Sequence, residues 1–302
     1  MSVVVTISNC PCCKSEVIKH VLSCKDHTVS NEIFEIWECN DCKLRFTQQI
    51  PDQHSIGAYY QSDTYISHSD TEDGIVNKAY KIARNYTLNW KMNLVERSLK
   101  NKNYKGNLLD IGAGTGAFLN KVAKSNWNIT GLEPDAGARK ICKDKYNIDL
   151  APAHEIFSLK DQQYDAVTMW HVLEHVHELH EYMEEIKRVL KPNGVVLIAL
   201  PNYTSEDAEH YKESWAAYDV PRHLYHFAPT AINNLVAQHQ MVVEKIKPMW
   251  LDAFYIALLS ENYKNGKDNL ISAVLNGLKS NLVALKDSSK CSSLVYIIRH
   301  KL

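Results

Sequence analysis

The sequence predicts an α/β fold: a parallel sheet covered by helices on both faces, preceded by a small cysteine-bearing module. Three observations predict it. From Gly106 onward, strand-length apolar runs alternate with helical stretches, the pattern of a sheet buried on both sides. A glycine-rich turn, Gly112-Ala113-Gly114-Thr115-Gly116, joins one such run to a helix. Six of the eight cysteines fall within the first 42 residues, where clustered thiols in a reducing compartment point to metal more than to disulfides.

Taken in order, residues 1–50 form the cysteine module, with strand-like runs at Glu32 to Glu38 and Lys43 to Thr47. Residues 51–105 read as a helical linker or cap. In it, Ile82, Tyr86, Leu88, Trp90, Leu94, Val95 and Leu99 make a helical stripe. Residues 106–302 form the main domain. Asn107 to Ile111, Trp127 to Leu132, Tyr164 to Trp170 and Val195 to Leu200 are its strands. A helix from about Ala117, another over Pro134 to Lys145 and a strongly amphipathic one over Leu173 to Leu190 lie between them. Lys191-Pro192-Asn193-Gly194 reads as the stop of the last helix. Met241 to Ile246 and Leu294 to Ile298 are two further strands, with insertions at about 203–230 and 251–285.

Composition narrows the function. The chain has 302 residues, 45% hydrophobic and 23% charged, enough to bury a full core. The longest apolar run, Gly194 to Pro201, is too short to span a bilayer. Met1 to Ser8 lacks the basic and apolar regions of a secretory signal, so the expected location is the cytoplasm, with no membrane partner. The formal net charge of −1 makes a nucleic-acid partner unlikely, because phosphate neutralisation needs a basic surface.

The glycine turn carries the most information. Glycines let a backbone turn sharply and approach a ligand that a Cβ would block. Glu133, in Gly131-Leu132-Glu133-Pro134, follows Asp110 by 23 residues, where a second strand delivers a carboxylate to a ribose diol. With Ala117 the run also satisfies the dinucleotide pattern G-x-G-x-x-A. Asp110, two residues before the first glycine, suits the cationic ammonium end of S-adenosylmethionine. A mid-chain start to the binding unit and the downstream segments favour the same ligand over a nicotinamide cofactor. A glycine turn without a ligand is the bland alternative.

Four segments, LLDIGAGTG (108–116), GLEP (131–134), YDAVTMWHVLEHV (164–176) and RVLKPNGVVLIALPN (188–202), resemble the class I S-adenosylmethionine-dependent methyltransferases. The resemblance implies a Rossmann-like seven-stranded sheet whose last strand is antiparallel. It carries cofactor contacts over to Asp110, Gly112, Ala113, Gly114 and Gly116, and to Glu133 and Pro134. Where relatives place an Asp-Ala pair at the adenine, this chain has Pro152-Ala153-His154, leaving a backbone N–H of Ala153 or His154. Trp170 and His171 are expected to face the transferred methyl group. A methyl on a sulfonium is already activated, so positioning and exclusion of water dominate, and an oxygen or carbon acceptor adds the need for a base.

Fourteen histidines invite over-reading. His171 and His175 stand at i,i+4, a spacing that can bind metal, but local packing of the helix explains them as well. His177 and His180 are expected to face solvent. The segment Trp215 to Phe227 is dense in aromatics and histidines, and a PRHLYHF-like stretch recurs in one branch of these methyltransferases. It reads either as the acceptor lid or as an aromatic cluster docking the loop. Under the first reading His223 is the preferred base, then His171, and Arg222 holds an anionic acceptor bidentately.

Cys10-Pro11-Cys12-Cys13 and Cys39-Asn40-Asp41-Cys42 supply two C-x-x-C knuckles. Cys10, Cys13, Cys39 and Cys42 are the expected ligands of a structural zinc in a ribbon-like module, since four thiolates leave no open position for catalysis. Cys12 could replace a neighbour, Cys24 reads as a bystander, and unmetallated thiols are the alternative. The module with Tyr59-Tyr60 and Tyr65-Ile66-Ser67-His68 resembles the N-terminal part of a bacterial methyltransferase group, where it would cap the acceptor side or dock a partner. The expected activity is methyl transfer to an oxygen or carbon of a small-molecule acceptor, such as a sugar or lipid-linked metabolite. An RNA methyltransferase that docks through the zinc module is a second reading. The five Lys/Arg against six Asp/Glu of residues 1–50 oppose it, as does the absence of an Asn-Pro-Pro-Tyr-type motif after the fourth strand. A non-catalytic cofactor-binding scaffold protein is the third. Oligomeric state is not legible.

Overall fold

The computed structural model describes residues 4–60, 75–99, 106–267 and 269–301, with backbone alone for 75–82. The Tyr65-Ile66-Ser67-His68 stretch lies outside them. Strands β1 (Val4–Val5) and β5 (Ile50–Pro51) pair at the N-terminus. Strands β2 (Ile18–Lys25), β3 (Ile33–Cys39) and β4 (Arg45–Thr47) form an antiparallel ribbon. Helix α1 (Ile75–Ser98) leads to β6 (Asn107–Ile111), α2 (Ala117–Ala123), β7 (Asn128–Leu132), α3 (Ala136–Tyr146) and β8 (Tyr164–Trp170). Next come α4 (Leu179–Val189), β9 (Leu190–Pro201), α5 (Glu206–Tyr211), β10 (Tyr225–His226) and α6 (Pro229–Gln238). The chain closes with β11 (Met241–Pro248), α7 (Asp252–Asn265), α8 (Leu270–Lys286) and β12 (Ser293–His300).

The main sheet runs β11-β12-β9-β8-β6-β7, with β7, β6, β8 and β9 parallel and both β12 and β11 antiparallel to their neighbours. It has six strands among the described residues. The place of a seventh, outside β7, holds a single bridge between Leu132 and Ala151. Alternation along each strand feeds two cores. Leu108, Ala166, Val195, Leu197 and Val295 face α1 and α2. Leu109, Val167, Val196, Ile198 and Tyr296 face α4 and α6.

Two helices differ from their sequence reading. The Leu173 to Leu190 stretch holds a short 3-10 turn, Leu173–His175, and then α4. The Glu174 carbonyl accepts from Leu224 N–H at 2.8 Å, which removes it from an α-helical ladder. The Lys191 to Gly194 segment belongs to β9 rather than to a turn. The apolar 251–285 stretch divides at Gly266, which caps α7 with φ 67°.

The cysteine module is stitched to the main domain. Strand β10 extends the ribbon as its fourth strand, pairing Tyr225 with Phe46. Cys10, Cys12, Leu44, Phe46 and Ile50 share a core with α4 and α6. His177 and His180, expected in solvent, are clamps instead: His177 Nε2 meets Pro51 O at 3.2 Å, and His180 Nε2 meets Cys12 O at 2.9 Å. Arg222 is the deepest tie. Its guanidinium, 1% exposed, pairs with Asp26 at 2.9 Å and Asp219 at 2.6 Å and donates to Tyr59 O. Removing one partner of a buried pair strands the other charge, at a cost of ~3–5 kcal/mol. Arg222→Met is therefore expected to lower unfolding stability by about that amount, read as a shift of the urea midpoint. A shift of under ~1 kcal/mol would count against the tie.

Candidate functional site

The glycine loop follows β6 at the centre of the sheet, with all three glycines at positive φ. A Cβ on Gly112 would meet Val172 at 2.4 Å, and one on Gly116 would meet Cys142 Sγ at 2.1 Å. Those two glycines answer to internal packing, so only their backbone is available to a ligand. Gly114 alone opens on free space. Its N–H donates to Glu133 Oε2 at 2.8 Å, and Asp135 N–H donates to Oε1 at 3.0 Å, so the carboxylate is oriented in advance. Ala113 N–H donates to Leu132 O, and Arg139 holds the carbonyls of Glu133 and Pro134. The strap from Ala151 runs beside Glu133, whose N–H donates to Ala151 O. Ala153 begins a 3-10 helix there, while the His154 ring is 76% exposed, leaving His154 only its backbone for adenine.

Asp110 is buried and accepts from Thr168 Oγ1 at 2.6 Å. Burial pushes its carboxyl up to about 7, against the opposing pull of Thr168 and Lys91. Lys91, from α1, places Nζ 4.5 Å from the centre of the Trp170 ring. Burial pulls its ammonium below the usual lysine range, opposed by Asp252 and Asp110. Among the described residues the buried Trp170 indole N–H has no hydrogen-bond partner. An open glycine cradle, an oriented Glu133 carboxylate and the buried Asp110 carboxyl fit S-adenosylmethionine. Glu133 would take its ribose, and Asp110 its ammonium end. Lys91 carries no sequence motif, and only the folding of α1 over the sheet reveals it; Thr168 stands in the 164–176 segment, and its role toward Asp110 comes from the pairing of β8 with β6. Beside Trp170, Tyr86, Trp90, Trp250, Leu251 and Asp252 line a shallow depression.

Past Trp170 the chain turns at His171, φ 60°. His171 Nε2 meets Asp252 Oδ2 at 3.1 Å, and Nδ1 lies 3.5 Å from Glu174 Oε1. Burial disfavours its charge, but Asp252 and then Glu174 outweigh burial and push the imidazole up to about 9. His171 thus keeps its proton near neutrality, which corrects its reading as a base. Glu174 is fully buried, and among the described residues neither of its oxygens accepts a hydrogen bond; the His171 imidazolium balances its charge. His223 Nδ1–H donates to Ala217 O at 2.9 Å. Ala217 O assigns the His223 tautomer, leaving its Nε2 as a lone pair, whereas His175 Nδ1 is shared between Arg222 O and the Tyr60 hydroxyl, each at 3.0 Å. The two rings stand edge to face, 4.6 Å apart. Donor atoms of Glu174, His175 and His223 lie within 4.8 Å of one another, a set that accepts a proton or a cation. Arg222, by contrast, is spent inside the protein, so the structure corrects its reading as an acceptor clamp.

The two cysteine knuckles are alike: each ends in a lysine at positive φ, Lys14 at 63° and Lys43 at 62°. Cys10 and Cys42 Sγ lie 3.5 Å apart, as do Cys13 and Cys39, and all four fall within 4.8 Å. Zn–S bonds of ~2.3 Å in a tetrahedron imply sulfur separations of about 3.8 Å, so the quartet fits zinc. Cys12 Sγ turns away, toward Ala231 O and Gln238, and Cys24 is buried in an apolar cluster.

Comparison with known proteins agrees with this geometry. A methyltransferase domain model matches residues 82–246. A ubiquinone biosynthesis O-methyltransferase of Rickettsia bellii is 23% identical over 199 residues, 60% of this chain and 80% of that protein. A demethylmenaquinone methyltransferase of Tropheryma whipplei is 25% identical over 158 residues, 51% of this chain and 64% of its own. Among solved structures, geranyl diphosphate C-methyltransferase of Streptomyces coelicolor A3(2) aligns with TM-score 0.52 at 14% identity, over 78% of this chain and 88% of that one; the likeness is one of fold.

Two outcomes follow from the site. An ammonium pairs with ionised Asp110, and a carboxyl near 7 is mostly protonated below that pH. Calorimetric affinity for S-adenosylmethionine should therefore weaken by about tenfold per unit as pH falls below about 7, and Asp110→Asn should flatten that dependence while weakening binding at pH 7.5. For the cysteines, elemental analysis should find one zinc per chain in the wild type and in Cys12→Ser, and none in Cys39→Ser. Zinc loss in Cys12→Ser would overturn the ligand assignment.

Proposed function

The chain belongs to the class I S-adenosylmethionine-dependent methyltransferases, and from that premise we propose that it methylates an oxygen or carbon of a small aromatic or quinol-type acceptor, with His223 taking the acceptor's proton. The observation that carries the base assignment is the His223 ring itself. Its Nδ1–H is pinned to Ala217 O, so Nε2 keeps its lone pair beside the Glu174 carboxylate. Glu174 stabilises the imidazolium that forms, as a carboxylate does for any histidine base. The names of the Rickettsia and Tropheryma relatives support a quinone-related acceptor, and the aromatic and apolar lining beside Trp170 suits one.

Bound S-adenosylmethionine supplies a methyl group on a positively charged sulfur. The protein's own residues do the rest. Asp110 and Glu133 fix the two ends of the donor. His171, held as an imidazolium between Asp252 and Glu174, fixes the turn after β8 and balances Glu174, leaving His223 to accept the proton as the new bond forms. Arg222 positions the loop that carries His223. Zinc at Cys10, Cys13, Cys39 and Cys42 would hold the ribbon against which β10 is laid.

With a panel of catechol- and quinol-type acceptors, His223→Gln should lower kcat by about a hundredfold or more while leaving S-adenosylmethionine affinity unchanged. Normal turnover in that variant would remove His223 from the role.

A further inference from the structure

Helix α8 is built inside out. An ordinary surface helix turns its large apolar residues to the core. In α8 the small residues Ala273, Gly277, Ser280 and Ala284 face inward, and the large ones face solvent. Gly277 lies so close to Phe254 that a Cβ would meet its ring at 2.7 Å. Ser280 Oγ donates to Asp207 at 2.9 Å, and Asn281 donates to Trp250 O at 2.9 Å. This inner face is therefore fixed on the main domain. Outward, Leu270, Ile271, Val274, Leu275, Leu278, Leu282 and Leu285 are each 41–76% exposed. At roughly 100 Å² of apolar surface per side chain, the face is on the order of 700 Å². Monomers seldom leave bare a patch of more than ~300–600 Å².

The spacing of the outer residues says what covers them. Ile271, Leu275, Leu278, Leu282 and Leu285 follow one another by four, three, four and three positions. That period of 3.5 is the seam of one helix packed along another. A helix lying in a membrane surface needs no such period. It carries aromatic residues and a cationic rim, whereas α8 has no aromatic residue and only two lysines, Lys286 at its C-terminal end and Lys279, which is paired with Glu206 at 2.7 Å. We propose that α8 is the interface of a homodimer, packed in antiparallel fashion on α8 of a second copy. An isologous two-fold contact lets one seam cover itself. The area on each chain is that of a standard interface, ~800 Å² per partner. The Lys279–Glu206 pair sets one charge of each sign beside the seam, so the two-fold copy meets opposite as well as like charge. Because α8 holds Trp250 through Asn281, the dimer would brace the wall of the depression beside Trp170.

Light scattering coupled to size exclusion tests this on the full zinc-loaded chain at micromolar concentration. The expected mass is about twice the 34.5 kDa of one chain. Leu275→Glu/Leu282→Glu should run as a monomer with unchanged zinc content and unchanged affinity for S-adenosylmethionine. Ile33→Glu, which alters an exposed apolar residue on the ribbon hairpin, should remain dimeric. A monomeric wild type overturns the proposal, whether or not it sediments with phosphatidylglycerol vesicles, and so does a double variant that stays dimeric. Loss of cofactor affinity in the wild type would instead strike the methyltransferase reading, so the two failures are distinguishable.

Discussion

One guanidinium, shut away from water between two carboxylates, ties the cysteine module to the 203–230 loop. Arg222 reaches Asp26 in the cysteine module and Asp219 in its own loop. Asp26 in turn accepts from the backbone of Thr28, Val29 and Ser30. Charges this deep are tolerated only when every partner is in place, because the desolvation cost of each ion is several kcal/mol. The pairing is therefore all or nothing. It admits one docking of loop on module, and His223, the next residue, inherits its position from that docking.

The two halves of the site are built on different logic. The donor half is backbone and sheet: a glycine turn, a carboxylate at the end of β7 and another within β6, all within one run of chain. Its geometry would survive many changes elsewhere. The proposed acceptor half would draw on β8, the 203–230 loop, the module and the start of α7, where His171 meets Asp252. Such a site varies by loop replacement without disturbing the donor half, and a shared sheet therefore leaves the acceptor to be argued from side chains.

The same contrast explains what could be read from the sequence. Strands β6 and β8 were legible to the residue, because apolar runs and a glycine turn are local signals. The clustering of Cys10, Cys13, Cys39 and Cys42 was legible because two matched knuckles repeat one local shape. Other features depended on contacts that spacing does not encode. The helix expected from Leu173 starts at Leu179, since Leu224 takes the Glu174 carbonyl. Gly112 and Gly116, read as ligand-lining, answer to Val172 and Cys142. His177 and His180 meet carbonyls of the module. Lys91 gains its place only once α1 lies over Trp170. A polar residue's role here follows from its burial and partners, and neither is written in its immediate neighbours.

Strand β10 adds a consequence in time. The ribbon's outer strand β4 is completed by Tyr225 and His226, paired with Phe46 and Arg45. During synthesis at ~5–20 residues per second, roughly ten to forty seconds separate the emergence of these partners. Until then β4 presents an unpaired edge, the kind of surface on which strands from other chains pair. The edge is only three residues long and opens with Arg45, which keeps the template short and charged. A nascent chain would thus carry a cysteine module whose last hydrogen bonds wait for the loop that bears the proposed base.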